Sequence, residues 1–507
     1  MVPEPARPGH ARTARLIARS LGALFAVAFT ISLLQDPGLV GPDGILPATL
    51  FLEQVEAAAG DASRWRLPTL FWWLPPTAAA LRGVAAAGLA LSLCAAAGLT
   101  HPLVHGGIWL LYLSLVGVGQ RFTGFAWESL LLEAGFLAIA LQPLRRPGRH
   151  EPPVVVLWLW RWLTVRLMLG AGLIKLRGDP CWRELTCLQW HYETQPNPHP
   201  LSWLLHQAPD GFHAVGVGVN HVVELGLPLL LLGPRRVRLA AGAGLLLFQV
   251  LLIGSGNLAF LNWLTLIVCL SALDDGALPR WGLPSLPALR GPVRPPSRPW
   301  RIAAALLALF VAWRSVGPVK NLLRADQVMN TAYDPLRLVN SYGAFGSVGA
   351  VREEISIEGT QDDPADPAAR WVEYVLPCKP GPVERRPCLI TPYHLRLDWQ
   401  MWFVPLAGVD RQPWLLPLLW RLLEAEPVVL DLFEADPFGG QRPRAVRVRR
   451  WRYRFAPPGA DGWWEREAQG VLIRPVTRDD PELARVLDGL GFGSLVSGRP
   501  GAAPGSR

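Results

Sequence analysis

LIARSLGALFAVAFTISLL, residues 16–34, carries a single charged side chain, Arg19. At about 1.5 Å of rise per residue such a run spans close to the roughly 30 Å of a bilayer's hydrocarbon core. A basic leader with Arg7, Arg12 and Arg15 precedes it and no small-residue cleavage site follows, so it reads as a retained membrane helix, not a removed signal peptide. Further apolar runs fall near 78–99, 103–119, 122–142, 154–174, 214–233, 236–253, 257–273 and 301–318. Together they predict a polytopic α-helical membrane domain of about nine spans, several near the lower limit of about 17 residues. Composition agrees: 50% of residues are hydrophobic and 18% charged, against about 25% charged in soluble proteins. The 23 Trp and 17 Phe, without a strict period, exclude a disordered or fibrous chain.

The net charge of +9 does not point to nucleic acid. Its arginines sit largely beside apolar spans, where contact with lipid headgroups accounts for them. The only lysines are Lys175, Lys320 and Lys379.

Sidedness follows from the span count. With the leader in the cytoplasm, the basic clusters Arg145/Arg146/Arg149, Arg235/Arg236/Arg238 and Arg280–Arg301 all return to the inside. The acidic segment with Asp36, Asp43, Glu53, Glu56 and Asp61 lands outside. The chain then divides into a transmembrane domain, 1–318, with an extracytoplasmic loop at 175–213; an extracytoplasmic domain, 319–498; and a tail, 499–507, expected to be disordered. In the second domain VREEISIEG (351–359), RWVEYVLPC (370–378), RAVRVRRWRYRF (444–455) and GVLIRPV (470–476) read as strands. PWLLPLLWRLLEA (413–425) reads as a helix too short to span. The expectation is a β-rich, β-sandwich-like α+β domain.

Cys181, Cys187, Cys378 and Cys388 fall on the outside, and Cys94 and Cys269 within spans. Four thiols in an oxidising compartment read as two disulfides with three possible pairings; nearest neighbours, Cys181–Cys187 and Cys378–Cys388, are favoured over the others and over free buried thiols. Neither pair has zinc-ligand spacing, and His191, His199 and His206 read as packing or surface residues, so no metal is expected.

Polar groups inside spans are the informative ones, because each is costly unless paired. These are Glu128, Glu133, Arg161, Arg166, Lys175, Asn220, His221, Glu224, Asn257 and Asn262. All but Glu133, Arg161 and Arg166 lie by topology in the outer half of the membrane, beneath the 175–213 loop. Two readings stand. In the first the charges pair for tolerance, Glu133 with Arg166 and Glu128 or Glu224 with Lys175. In the second they line a polar cavity where a desolvated Lys175 acts as base. No phosphate loop, nucleophile elbow or zinc-hydrolase helix is present in the sequence.

The run LGAGLIKLRGDPCWRELTCLQWHYETQPNPHPLSW (169–203) resembles the signature loop of the lipase maturation factors. FAWESLLLEAGFLAI (125–139), NHVVELGLP (220–228) and GNLAFLNWLTL (256–266) are similar to that family's membrane motifs. NSYGAFGSVGAVREEISIEGT (340–360), WVEYVLPCKPG (371–381) and YHLRLDWQMWF (393–403) are similar to its C-terminal domain. The resemblance implies a multi-pass protein whose lumenal domain binds dimeric lipases and helps them mature. Its membrane would be that of the endoplasmic reticulum, or the cytoplasmic membrane in a bacterial cell. A shorter likeness, GAGLIKL (170–176) with Trp182, is to the vitamin K-dependent carboxylase-like transmembrane domain, in which a Lys so placed is a base.

The function expected is therefore a membrane-embedded folding factor, without cofactor, whose partners are membrane lipids and a client protein. The apolar helix with Trp414, Leu415 and Leu419 and the aromatic run with Trp399, Trp402 and Phe403 are the candidate client surfaces, core packing being the competing reading for the second. A membrane enzyme using Lys175 on a lipid or quinone is the alternative. A transporter is disfavoured, since no inverted repeat is visible.

Overall fold

The computed structural model describes residues 9–144, 150–278 and 293–493. Arg7, the cluster Arg145/Arg146/Arg149, Arg280 and the 499–507 tail lie outside the described residues. Among those described, six helices are long and apolar enough to cross a membrane: α1 (Ala11–Val40), α2 (Ala78–Ala97), α5 (Val154–Arg177), α6 (Asp210–Leu230), α7 (Arg235–Ser255) and α9 (Arg298–Leu323). The three other expected spans are helical but shorter: α3 (Pro102–Val118), α4 (Ala126–Ile139) and α8 (Leu261–Ala272). With 14 residues α4 rises about 21 Å, less than the hydrocarbon thickness. A turn of 3-10 helix at Gln120–Thr123 precedes α4, and a non-helical stretch, Gly256–Phe260, precedes α8. That interruption is why an apolar window gave a full span where the backbone forms only part of one.

Local signals set the helix starts. Thr77 accepts a hydrogen bond from Ala80 N to open α2, and His101 does the same for Leu103 N ahead of Pro102 in α3. Small residues then let α1 and α2 approach closely: a Cβ at Gly22 would meet Ala95 and the backbone of Ala96, and one at Gly88 would enter the Phe29 ring. Leu247, Val250 and Leu251 of α7 and Ile302, Leu306 and Leu309 of α9 point outward and exposed, as side chains solvated by acyl chains would.

The C-terminal part holds one four-stranded antiparallel sheet in the order β2-β1-β3-β4, made of β1 (Arg352–Thr360), β2 (Val372–Tyr374), β3 (Ala445–Phe455) and β4 (Trp464–Val476). All four expected strand regions are paired, with Ile357 opposite Val448 and Tyr374. The expected sandwich is corrected. Among the described residues no second sheet faces the first; helices α10 (Arg396–Ala407) and α11 (Leu415–Leu423) supply the packing surface instead. One hydrophobic cluster runs from Phe25 and Phe29 of α1 through Trp160 of α5 to Leu415 and Leu419 of α11. Burial is thus continuous across the two parts of the chain.

Candidate functional site

Of the four cations on α5, Arg166 and Lys175 are each met by an acid from a neighbouring helix. Arg166 is ion-paired to Glu133 of α4, and both side chains are about 1% exposed. Arg166 Nη1 also donates to the carbonyl of Asn340 at 2.6 Å. Glu133 Oε2 accepts from the backbone N–H of Asn340 at 3.0 Å and from the Tyr342 hydroxyl at 2.7 Å. The chain entering the C-terminal domain therefore supplies further partners to both members of the pair. Gly170 and Gly178 make room for it, since a Cβ at either would collide with the carbonyl oxygens of Tyr342 and Gly346 respectively.

Lys175 closes the same helix at its other end. Its Nζ donates to Glu224 Oε1 at 2.5 Å and to Asn220 Oδ1 at 3.1 Å, and lies 5.0 Å from the centre of the Trp182 ring. Asn220 Nδ2 donates to the second oxygen of Glu224 at 3.1 Å. Glu224 sits in a π-helical turn, Val222–Gly226, just before Pro228, which lacks the N–H that would continue a regular α-helix. His221 meets the carbonyl of Trp182 through Nε2 at 3.0 Å. Lys175, Glu224, Asn220 and Trp182 border a cavity of about 280 Å³, also lined by Asn262, Met168, Phe248 and Phe345.

Glu128 does not reach Lys175. Its carboxylate accepts from the Tyr112 hydroxyl and lies 3.6 Å from Arg396 of α10. Arg396 pairs at 2.5 Å with Asp36 and donates to Ser32 Oγ at 3.3 Å. Asp36, one of the acidic segment, is buried, because α1 runs on to Val40 and carries it beneath α10.

Asn257, in the interrupted stretch before α8, ties three segments together. Its Nδ2 donates to the carbonyls of Pro198 at 3.2 Å and Cys388 at 2.9 Å, while Oδ1 accepts from the N–H of Ile390 at 3.1 Å. The 175–213 loop is gripped from the sheet as well. Arg352 of β1 donates to the carbonyls of Glu193, Gln195 and Pro196 and pairs with Glu354 at 2.5 Å. Cys181 with Cys187, and Cys378 with Cys388, stand at disulfide distance, with Cα separations of 4.8 Å and 5.4 Å.

The candidate client surfaces are largely core. Trp399, Trp414, Leu415 and Leu419 are buried. Trp414 packs on Phe122 at 6.0 Å between ring centres, and Trp399 on Trp127 at 4.9 Å. The short apolar helix is covered by its neighbours, with Arg421 donating to the carbonyls of Gly44 and Pro42. Trp402 and Phe403 are half-buried, and Trp402 Nε1 donates to the Thr194 carbonyl at 3.0 Å.

Burial tunes the titratable groups outside the spans. The His191 imidazole is held down to about 4, by burial and then by the Lys175 charge. His394, enclosed by Trp127 and Trp399 and close to Arg396, is lowered by burial first and that charge second. Burial raises the Asp398 carboxyl to about 6, although it accepts from the N–H groups of Cys378 and Lys379. Among the described residues no cluster of His, Cys, Asp and Glu is arranged to hold a metal ion.

Sequence reasoning missed Arg352, Arg396, Asn340 and Tyr342. The signal available was a lone Arg within YHLRLDWQMWF, an apolar and aromatic run where a cation needs a partner.

Comparison with known proteins adds a second line. A family model described as the Lipase maturation factor transmembrane domain matches residues 12–280, and one described as the Lipase maturation factor C-terminal domain matches residues 338–474. "Lipase maturation factor 1" of Mus musculus is 40% identical over 500 residues, covering 92% of this chain and 87% of that protein. The Homo sapiens protein of that name is 40% identical, with 92% and 88% covered. "Lipase maturation factor 2" of Homo sapiens is 31% identical, with 94% and 84% covered. No solved structure matches.

Proposed function

The chain belongs to the lipase maturation factor family, and from that premise we propose that its client is a secreted lipase, met on the non-cytoplasmic side of the membrane. It is a multi-pass membrane protein with a maturation-factor role. The observation that carries the client reading is the continuity of the likeness through both the helices and the C-terminal domain of proteins named for lipase maturation.

Sidedness rests on the grouping of charge. Arg235 and Arg238 pair with Asp274 beside the start of α1, where Asp275 accepts from the N–H of Arg12. The 175–213 loop and the sheet meet at the other end of α5. If the three short helices, with the segments that precede them, complete nine crossings, the positive-inside rule favours the sheet, the loop and both cysteine pairs lying outside, in the lumen of the endoplasmic reticulum if the cell has one. In this reading Lys175 is a structural cation. Glu224 and Asn220 engage its ammonium, which disfavours a free base.

The test is rescue. Cells lacking their own maturation factors would express a secreted dimeric lipase with or without this chain, and lipase activity per secreted molecule would be compared. A severalfold rise with the chain is expected; unchanged specific activity at good expression of both proteins overturns the client reading. A glycosylation acceptor placed after residue 323 should be modified, and one beside Arg235 should not.

A further inference from the structure

The cavity of about 280 Å³ beside Lys175 is not used by the maturation reading. Its walls are chiefly apolar, with Met168 of α5, Phe248 and Leu252 of α7, and Phe345. Its rim includes Phe212 and Val219 of α6 and Leu251 of α7, all exposed. An opening between two helices that can cross a bilayer, edged by exposed apolar side chains, faces acyl chains and not water.

The polar end is unusual in one respect. Asn262 of α8 lines the cavity, is only 5% exposed, and its Nδ2 has no hydrogen-bond partner. A buried donor left unpaired is costly. The other charges present no net attraction, because the Lys175 ammonium is matched by Glu224. A site walled by an amide whose N–H group lacks a partner, with no surplus charge and a greasy lateral mouth, selects an uncharged head on a single chain once that amide turns to meet it.

We propose that this cavity binds one acyl chain of a neutral lipid, whose ester carbonyl accepts a hydrogen bond from Asn262. The chain lies along Met168, Phe248 and Leu252 and leaves between α6 and α7. The ligand comes from the bilayer or from lipolysis near the membrane; both sources offer the same ester.

The experiment uses the full chain in phosphatidylcholine nanodiscs, with a palmitate methyl ester carrying a diazirine and an alkyne as photoprobe. Labelling is expected on peptides from α6, α7 and α8 and should be competed by unlabelled methyl palmitate. Leu252→Trp, which fills the path of the chain, should lower it at least about tenfold, and Asn262→Leu about fivefold. Labelling spread evenly over outward faces such as α9, or undiminished by competitor, overturns the proposal from the wild type alone, so a variant that fails to fold does not rescue it. The same chain as a free carboxylate is expected to label less; stronger labelling overturns the neutral-head assignment. Mass analysis of lipid co-purified without probe separates the sources: a diacylglycerol points to the bilayer and a monoacylglycerol to lipolysis, while a stoichiometric phospholipid overturns the assignment. Lipase rescue is read separately, so failure here is distinct from failure of the client reading.

Discussion

Arg166 and Lys175 sit on one helix and each is buried against a glutamate, yet their surroundings differ. Around Arg166 the remaining polar neighbours come from the chain itself, Asn340 and Tyr342 closing over the Glu133 carboxylate. Around Lys175 the pair is completed by Asn220, and one side is a cavity. Burying charges is expensive in either place. In the first the arrangement is spent on fixing the domain junction; in the second it forms one wall of a space that another molecule can enter.

The comparison is easiest to break at its closed end. Arg166→Met leaves Glu133 charged and uncompensated, and should cost about 3–5 kcal/mol in detergent unfolding of the full chain. The double variant with Glu133→Gln should lose clearly less than the sum of the singles, as coupled neighbours do. At the open end Lys175→Met should cost less, about 3 kcal/mol, and Lys175→Arg should keep both abundance and lipase rescue, because the charge is preserved. Equal losses for Arg166→Met and Lys175→Met would erase the distinction. Normal abundance with lost rescue in Lys175→Arg would instead revive a base at that position.

Smaller effects sharpen the role of the loop over the open end. Replacing Cys181 and Cys187 by Ser should cost about 2 kcal/mol through the short cross-linked segment. Differential alkylation should find four thiols protected until reduction, with Cys94 and Cys269 reacting in denaturant. A further effect on the same loop is with pH. His191 titrates near 4 when folded against its ordinary 6.5, so the unfolded chain binds more protons between those values. Its contribution is therefore complete above about pH 6.5 and lost as pH falls towards 4. Amide exchange in the 188–194 segment should quicken over that window, and His191→Gln should flatten the dependence.

Much of this was legible in the sequence, for physical reasons. Lipid demands unbroken apolar windows, so α1, α2, α5, α6, α7 and α9 were all among the nine expected spans. Pairing of Lys175 with Glu224 was one of two options because their spans end at similar depth. What was hidden is whatever joins distant segments. Arg396 meets Asp36 from the far end of the chain, and neither residue's neighbours announce the other. Asn257 was noticed as a polar residue near a span end, but its bonds to Pro198 and Cys388 depend on the interrupted backbone before α8. Trp414, Leu415 and Leu419 were misjudged as surface because amphipathic length says nothing about what covers a helix.

One hydrophobic cluster joins the helices to the C-terminal sheet, so the two parts are expected to open together, and Arg396 is where this is most exposed to test. Hydrogen exchange on the full chain in nanodiscs would compare α1, β1 and β3 in the wild type and in Arg396→Met. The expected result is that all three share one opening free energy in the wild type, and that the variant lowers it in all three by about 3–5 kcal/mol, since Asp36 and Glu128 lose their cation together. Unchanged protection of β1 and β3 in the variant, with loss confined to α1, would contradict it.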